Sequence, residues 1–165
     1  MRKILASALT AAAAAAVIGG AGLAAASTHT GVSGTEHFQL MTTSATSSDL
    51  SVIASGVFTA PAVDHEHHTT NTATFTFANG TISLKHSKGT GTQSFNPKTC
   101  LLTVNQHGTY TLQSGTGAYA GISGSGKYQL SILAIGARSG GKCTQSKPPV
   151  AFHQVINASG PVSLP

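Results

Sequence analysis

Alternation of apolar and polar residues dominates the chain after residue 35, and it predicts β-strands. Over Thr72–Phe77 every second residue is apolar and the residues between them are threonines. The dipeptide Asn79-Gly80 follows, which favours a two-residue hairpin turn because both of its residues tolerate a positive φ. A turn at these two residues would place Phe75 opposite Leu84. The apolar faces of the two strands would then coincide, so the pattern predicts a hairpin.

The same alternation predicts eight strands in all. In chain order they are Glu36–Thr46, Leu50–Thr59, the two strands of that hairpin, Gly91–Asn96, Cys100–Gln113, Ser125–Arg138 and Val150–Leu164. The longest connections between them are Pro61–Thr70 and Ser139–Pro149. Eight strands joined mostly by short loops predict an all-β fold, an antiparallel barrel or sandwich, in one domain over residues 36–165.

The first 26 residues have the composition of a secretory signal peptide. Arg2 and Lys3 precede an uncharged, alanine-rich run over Ile4–Ala26, which ends in the small residues that signal peptidase recognises. Alanine favours helix, so we expect a signal-peptide helix before the β domain. The alternative is a membrane anchor, because the 23 residues of this run could span a bilayer. We favour cleavage near Ala26, which predicts a secreted protein without a membrane segment and a flexible mature N-terminus over residues 27–35.

Charge is sparse, and this excludes several classes of function. Only 8% of the 165 residues are charged, and removal of Arg2 and Lys3 leaves seven basic residues against four acidic ones. No basic stripe alternates with aromatic residues, so nucleic acid is not expected as a partner. Four carboxylates and the absence of a Gly-x-Ser-x-Gly elbow between a strand and a helix give no support to a glycosidase or a serine hydrolase. The sequence predicts no cofactor.

A glycine-rich stretch, GTGAYAGISG, occupies Gly115–Gly124. It resembles the segment of the dirigent and allene oxide cyclase-like barrels in which Gly-Thr-Gly-x-aromatic is followed by a glycine five residues after the aromatic, here Tyr119 and Gly124. Small exported actinobacterial proteins look similar too. The resemblance implies a single eight-stranded antiparallel β-barrel with an apolar interior, often trimeric in the plant members, and hence a homo-oligomer here. It carries over no catalytic residue. We expect a tight turn followed by a compact crossing that Tyr119 and Ile122 hold in place.

Several polar residues fall on inward-facing positions of the predicted strands, where they could line a small-molecule pocket. They are Glu36, His86, Gln93, Gln106, Tyr110, Tyr128 and Gln154. Glu36 and His86 would form an acid–base pair if they meet. The alternative is that these side chains lie at the barrel rims or hydrogen-bond to one another inside the core.

The densest group of titratable residues is Asp64-His65-Glu66-His67-His68. In an extended chain His65 and His67 point the same way, about 7 Å apart, which is a feasible spacing for two metal ligands. A metal site would need a third ligand. The favoured interpretation is a solvated polar loop between strands, because histidine tracts often bind metals weakly.

Cys100 and Cys143 are the only two cysteines, and exported proteins fold where thiols oxidise. Cys100 begins a predicted strand, and the next strand returns antiparallel and ends near Arg138. Cys143 therefore lies within reach of Cys100, and the sequence predicts a disulfide that closes the Ser139–Pro149 loop. The alternatives are two free thiols or a metal-binding pair.

Two functions from different classes follow from the sequence. The favoured one is a secreted, non-enzymatic β-barrel that binds a partner or serves as a surface protein. The alternative is a barrel that binds a hydrophobic small molecule, with the cyclase or isomerase activity that the resemblance implies. The barrel interior discriminates between them, because a filled core would leave no room for a ligand, whereas a pocket of several hundred Å³ would favour one.

Overall fold

The computed structural model describes residues 31–165, and most of these residues belong to strands. The strands are β1 (Val32–Thr42), β2 (Asp49–Ser55), β3 (Ala60–His67), β4 (Thr72–Phe77), β5 (Gly80–His86), β6 (Thr90–Asn96), β7 (Leu101–Gly115), β8 (Ser123–Ile135), β9 (Arg138–Ser139), β10 (Lys142–Cys143) and β11 (Ala151–Leu164). A 3₁₀ turn covers Gly117–Tyr119. Within residues 31–165, no helix has the length and apolar character needed to cross a membrane. The predicted signal peptide over residues 1–26 lies outside the described residues.

Eight of these strands form a closed antiparallel barrel, which confirms the predicted all-β barrel fold. The order around the ring is β5-β4-β3-β2-β1-β11-β8-β7, and β5 pairs with β7 to close it. Only the last part of β7, Tyr110–Gly115, pairs with β5. The first part, Leu101–His107, pairs with β6. The sheet therefore extends beyond the barrel at the end where β7 begins.

The barrel has the predicted number of strands, but it contains β3 in place of the predicted strand Gly91–Asn96. The predicted connection Pro61–Thr70 is wrong, because β3 occupies most of it and pairs with β2 and β4. Small Ala62 packs against the core, whereas the larger Val63 is exposed on the outer face. In β3 the larger apolar side chain therefore faces outward and the smaller one faces the core, so side-chain size does not indicate the buried face of this strand. The predicted strand Gly91–Asn96 corresponds to β6, which is exposed along its whole length and adds a ninth strand outside the ring.

The first barrel strand begins earlier than the sequence suggests. Val32 pairs with Leu164 and Thr35 pairs with Pro161, so part of the N-terminus predicted to be flexible over residues 27–35 belongs to β1. The strand β11 supplies the hydrogen-bond partners of Val32–Thr35. A local pattern of hydrophobic residues cannot reveal this pairing, because β11 lies far away in the sequence.

The hairpin β4–β5 is present, with its turn one residue earlier than predicted. Phe75 lies opposite Ile82, not opposite Leu84. Thr81 donates its N–H to Thr116 Oγ1 at 3.0 Å and accepts the N–H of Thr116 at 2.9 Å, so the start of β5 is tied to the crossing that follows β7. The pairing shifts by two residues, which leaves the same side chains facing inward.

The crossing between β7 and β8 closes one end of the barrel. Tyr119 and Ile122 are buried there, as expected, with 5% and 4% of their surface exposed. The Tyr119 ring lies 4.5 Å from that of Phe77 and 5.0 Å from that of Phe58, measured between centroids. Aromatic packing at these distances fills this end, which we call the closed end.

At the opposite end, the predicted disulfide between Cys100 and Cys143 is confirmed, with 5.4 Å between the Cα atoms. Cys143 ends the small hairpin β9–β10. Arg138, which begins this hairpin, donates to the carbonyl oxygens of Gly141 and Lys98. The disulfide and these hydrogen bonds fix the long connection before β11 to the start of β7.

Candidate functional site

The barrel interior holds a cavity of about 370 Å³ toward the end opposite Tyr119. Its apolar lining includes Phe38, Leu40, Phe75, Leu84, Leu130 and Ile156. Residues of the loop after β1, together with Lys88 and Gly89 after β5, lie around its rim. A cavity of this size and lining is within the range of sites that bind small molecules.

Polar side chains enter the cavity from both sides. Asp64 and Glu66 come from β3, His86 from β5, Gln106 and Tyr110 from β7, Tyr128 from β8 and Gln154 from β11. Five of the seven residues that the sequence places in a ligand pocket, all but Glu36 and Gln93, therefore line this cavity. Gln93 lies on the exposed strand β6 and does not contribute.

Glu36 lies toward the closed end, outside the cavity lining. Its side chain is fully buried, and its Oε2 accepts the Phe58 N–H at 3.1 Å. Burial raises the pKa of Glu36, and backbone hydrogen bonds, that of Phe58 first, act in the opposite direction. The acid–base pair of Glu36 and His86 does not form, because within residues 31–165 the carboxylate that contacts His86 belongs to Glu66.

Glu66 and His86 form a hydrogen-bonded pair with 2.8 Å between Oε1 and Nε2. The Nδ1 of His86 lies 3.1 Å from the carbonyl oxygen of Ser87, which can only accept, so Nδ1 carries a hydrogen. The other ring nitrogen, Nε2, faces Glu66 Oε1, so the Glu66 carboxyl group has a hydrogen-bond partner inside the barrel.

Asp64 has a different environment, although it lies only two residues before Glu66 on the same inward face of β3. Its side chain is 1% exposed, and its Oδ1 has no hydrogen-bond partner within residues 31–165. Burial, followed by the nearby charge of Glu66, raises the pKa of Asp64 from 3.8 to about 7, while His65 and His86 act in the opposite direction. The cavity thus contains a carboxyl group that changes charge near neutral pH.

Two tyrosines face the cavity, each opposite a glycine on the neighbouring strand. Tyr110 lies opposite Gly126 and Tyr128 lies opposite Gly108. A Cβ atom on Gly126 would come within 2.6 Å of the Tyr110 ring, and one on Gly108 within 2.5 Å of the Tyr128 ring. The glycines therefore provide the room in which both rings pack against the facing strand.

The two tyrosine hydroxyls differ in their hydrogen bonding. Tyr128 donates to the carbonyl oxygen of Ser87 at 3.0 Å. Tyr110 is 4% exposed, and its hydroxyl has no partner among the described residues. Burial raises the pKa of Tyr110 to about 12, so this hydroxyl is neutral and available as a donor or an acceptor.

The expectation that Asp64–His68 forms a solvated loop is wrong, because β3 continues through His67. His65 hydrogen-bonds to Asp49 at 3.0 Å and His67 is exposed. Within residues 31–165, no group of three His, Cys, Asp or Glu side chains is arranged to hold a metal ion. Sequence reasoning missed Asp64 and Glu66 as interior residues. Asp64 and Glu66 continue the even-numbered positions of Ala60 and Ala62, and this alternation could have placed them on the inward face.

Comparison of the chain with protein-family models, curated proteins and solved structures finds no match. The likeness of Gly115–Gly124 to the dirigent and allene oxide cyclase-like barrels therefore stays a prediction. The barrel alone does not assign a family, because one fold supports many functions.

Proposed function

We propose that this protein is a non-enzymatic binding barrel that takes a hydrophobic small molecule into its interior cavity. The cavity of about 370 Å³ supports this function over that of a surface protein with a filled core. Its walls are largely aliphatic and aromatic, which suits an apolar ligand, while a few polar groups converge from β3, β5 and β7.

The observation that carries the proposal is the pair of unsatisfied polar atoms in the cavity wall. Asp64 Oδ1 and the Tyr110 hydroxyl are buried and have no partner among the described residues. Each such atom costs about 1–3 kcal/mol of folding free energy. A ligand with a polar head group would offset this cost on binding, so these atoms support a ligand that combines an apolar body with a polar end.

Export through the general secretion route belongs to the same proposal. The disulfide Cys100–Cys143 supports it, because disulfides form and persist in oxidising compartments. A homo-oligomer, implied by the resemblance of Gly115–Gly124, also stays a prediction.

Catalysis by the barrel is a second candidate, and one observation favours it. Asp64 has a pKa of about 7 and lines the cavity, and a carboxyl group of this kind can donate or accept a proton at neutral pH. It could assist an isomerisation or cyclisation of the kind that the family resemblance implies. Loss of turnover in Asp64→Asn, with ligand binding retained, is the expected result for this candidate.

Ligand binding is tested with two tryptophan variants on the same strand. Leu130 on β8 lines the cavity, whereas Leu133 on β8 is 46% exposed and does not. The uncharged fluorescent probe N-phenyl-1-naphthylamine should bind the wild-type protein saturably, at one molecule per barrel. Leu130→Trp fills the cavity and should weaken binding at least tenfold, while the control Leu133→Trp should retain it.

The chain has no native tryptophan, so each variant also reports on the environment of the new side chain. The indole emission of Leu130→Trp should be blue-shifted by burial, and the emission of Leu133→Trp should resemble that of an exposed indole. Equal binding by both variants would place the probe on the outer surface and contradict the proposed function.

A further inference from the structure

One carboxyl group in the cavity wall has an oxygen without a partner. Glu66 is not that group, because its Oε1 lies 2.8 Å from His86 Nε2. Asp64 shares the inward face of β3 with Glu66, and its Oδ1 has no hydrogen-bond partner within residues 31–165. Ionisation of Asp64 therefore places a negative charge without a hydrogen-bond partner at Oδ1 in the cavity wall.

We propose that the cavity selects a cationic amphiphile, a small aliphatic or aromatic amine whose ammonium group binds at Asp64 and whose apolar body fills the cavity. This inference rests on the proposed function and specifies its class of ligand. An ammonium group has hydrogen-bond donors only and a positive charge, which match a buried carboxylate without a partner.

The other charged groups near Asp64 do not prevent it from binding an ammonium group. They are Glu66 and His65 on β3, Asp49 on β2 and His86 on β5. Asp49 and His65 hydrogen-bond to each other, and both are about half exposed, so water screens them. The strand β4 places the uncharged Phe75 opposite Asp64. At the rim, Lys88 is exposed and forms no ion pair within the described residues.

The aromatic lining adds a second preference for a cation. Phe38 lies 5.3 Å from Phe75 and 6.1 Å from Tyr110, measured between ring centroids, and all three line the cavity. Aromatic faces attract ammonium groups when water is excluded. A carboxylate ligand would meet Asp64 as a like charge, and an alcohol would gain hydrogen bonds but no charge pairing.

The selectivity should depend on pH, since Asp64 attracts a cation only when it is ionised. Burial raises the pKa of Asp64 to about 7, so the group is mostly ionised at pH 8 and mostly protonated at pH 6. The ionised fraction changes about tenfold between these two values, and the advantage of an ammonium over a neutral head group should fall by about the same factor.

The test compares three probes that share one chain and differ in the head group: octylamine, 1-octanol and octanoate. Their dissociation constants are measured by calorimetry on the purified protein at pH 8 and pH 6. At pH 8, octylammonium should bind at least tenfold more tightly than octanol, and octanoate should bind most weakly. Asp64→Asn should reduce the preference for octylammonium at pH 8 by about tenfold, whereas the matched control Asp49→Asn, on the exposed face, should keep it.

Equal affinity for octylammonium and octanol at pH 8, or an undiminished preference in Asp64→Asn, would overturn the inference and leave the proposed function intact. If none of the three probes binds, the proposed function itself fails. A measurement on the wild-type protein covers the case in which Asp64→Asn does not fold. In carbon-13 NMR of the Asp64 carboxyl, saturating octylammonium should lower its pKa by about one unit for a tenfold preference, and an unchanged titration would overturn the inference.

Discussion

Asp64 should make the stability of this barrel fall as the pH rises from about 4 to about 7. The pKa of its carboxyl group is raised from 3.8 to about 7 by burial, so the folded protein holds the Asp64 proton more tightly than the unfolded chain does. Below both values the group is protonated in both states and contributes nothing. The cost of folding appears as the pH rises through the unfolded pKa, and it is complete above the folded one.

The size of this effect follows from the two pKa values. One pKa unit corresponds to about 1.4 kcal/mol, so a shift from 3.8 to about 7 corresponds to about 4 kcal/mol of unfolding free energy. This figure is an upper value, because water that enters the open end of the cavity would reduce it. It is a large fraction of the roughly 5–15 kcal/mol that typically stabilises a domain.

The prediction is tested by urea unfolding of the wild-type protein and of Asp64→Asn at several pH values between 4 and 8. The free energy of unfolding of the variant, relative to wild type, should rise by about 4 kcal/mol across this range. A buried asparagine adds its own cost of about 1–3 kcal/mol, but that cost does not change with pH. The slope of the difference is therefore the quantity to compare.

Asp49→Asn is the matched control, because Asp49 lies on the neighbouring strand β2 with half of its side chain exposed. Its difference from wild type should stay nearly constant with pH. A constant difference for Asp64→Asn as well would refute the reasoning, since it would mean that Asp64 is solvated or has a partner in the folded state.

Four further substitutions have defined outcomes. Cys143→Ser opens a 43-residue loop and should lower the stability by about 4 kcal/mol while the far-ultraviolet circular dichroism of the barrel persists. Tyr128→Phe loses a hydrogen bond and should cost about 1 kcal/mol in urea unfolding, whereas Tyr110→Phe removes a hydroxyl without a partner and should be neutral or stabilising in the ligand-free protein. Tyr119→Ala empties the closed end and should cost about 3 kcal/mol or more, measured as a lower melting temperature.

Each of these outcomes has a counterpart that would contradict it. Two alkylatable thiols in the unreduced protein would mean that the disulfide does not form. A greater loss of stability in Tyr110→Phe than in Tyr128→Phe would show that the Tyr110 hydroxyl has a partner. A loss for Tyr119→Ala no larger than that for Phe95→Ala, where the side chain is 46% exposed, would show that Tyr119 does not close the barrel.

The sequence alone determined the parts of this protein that depend on short-range rules. In β5, β7 and β8 the period of two indicated which face is buried, so the inward positions of His86, Tyr110 and Tyr128 were predictable. Turn chemistry located the hairpin to within one residue, and antiparallel neighbours brought Cys100 to Cys143. These features can be predicted from the local sequence together with the knowledge of which strand follows along the chain.

Only the tertiary structure decided the membership of the ring and the chemistry of its cavity. Asp64 and Glu66 face inward because of the register of β3, which places Asp64 opposite Leu50 on β2 and opposite Phe75 on β4. His86 reaches Glu66 instead of Glu36 because the tilt and stagger of a closed barrel determine which side chains meet across it. The cavity likewise depends on how eight strands close and how far their inward side chains fill the interior, which is a property of the ring and of no single segment.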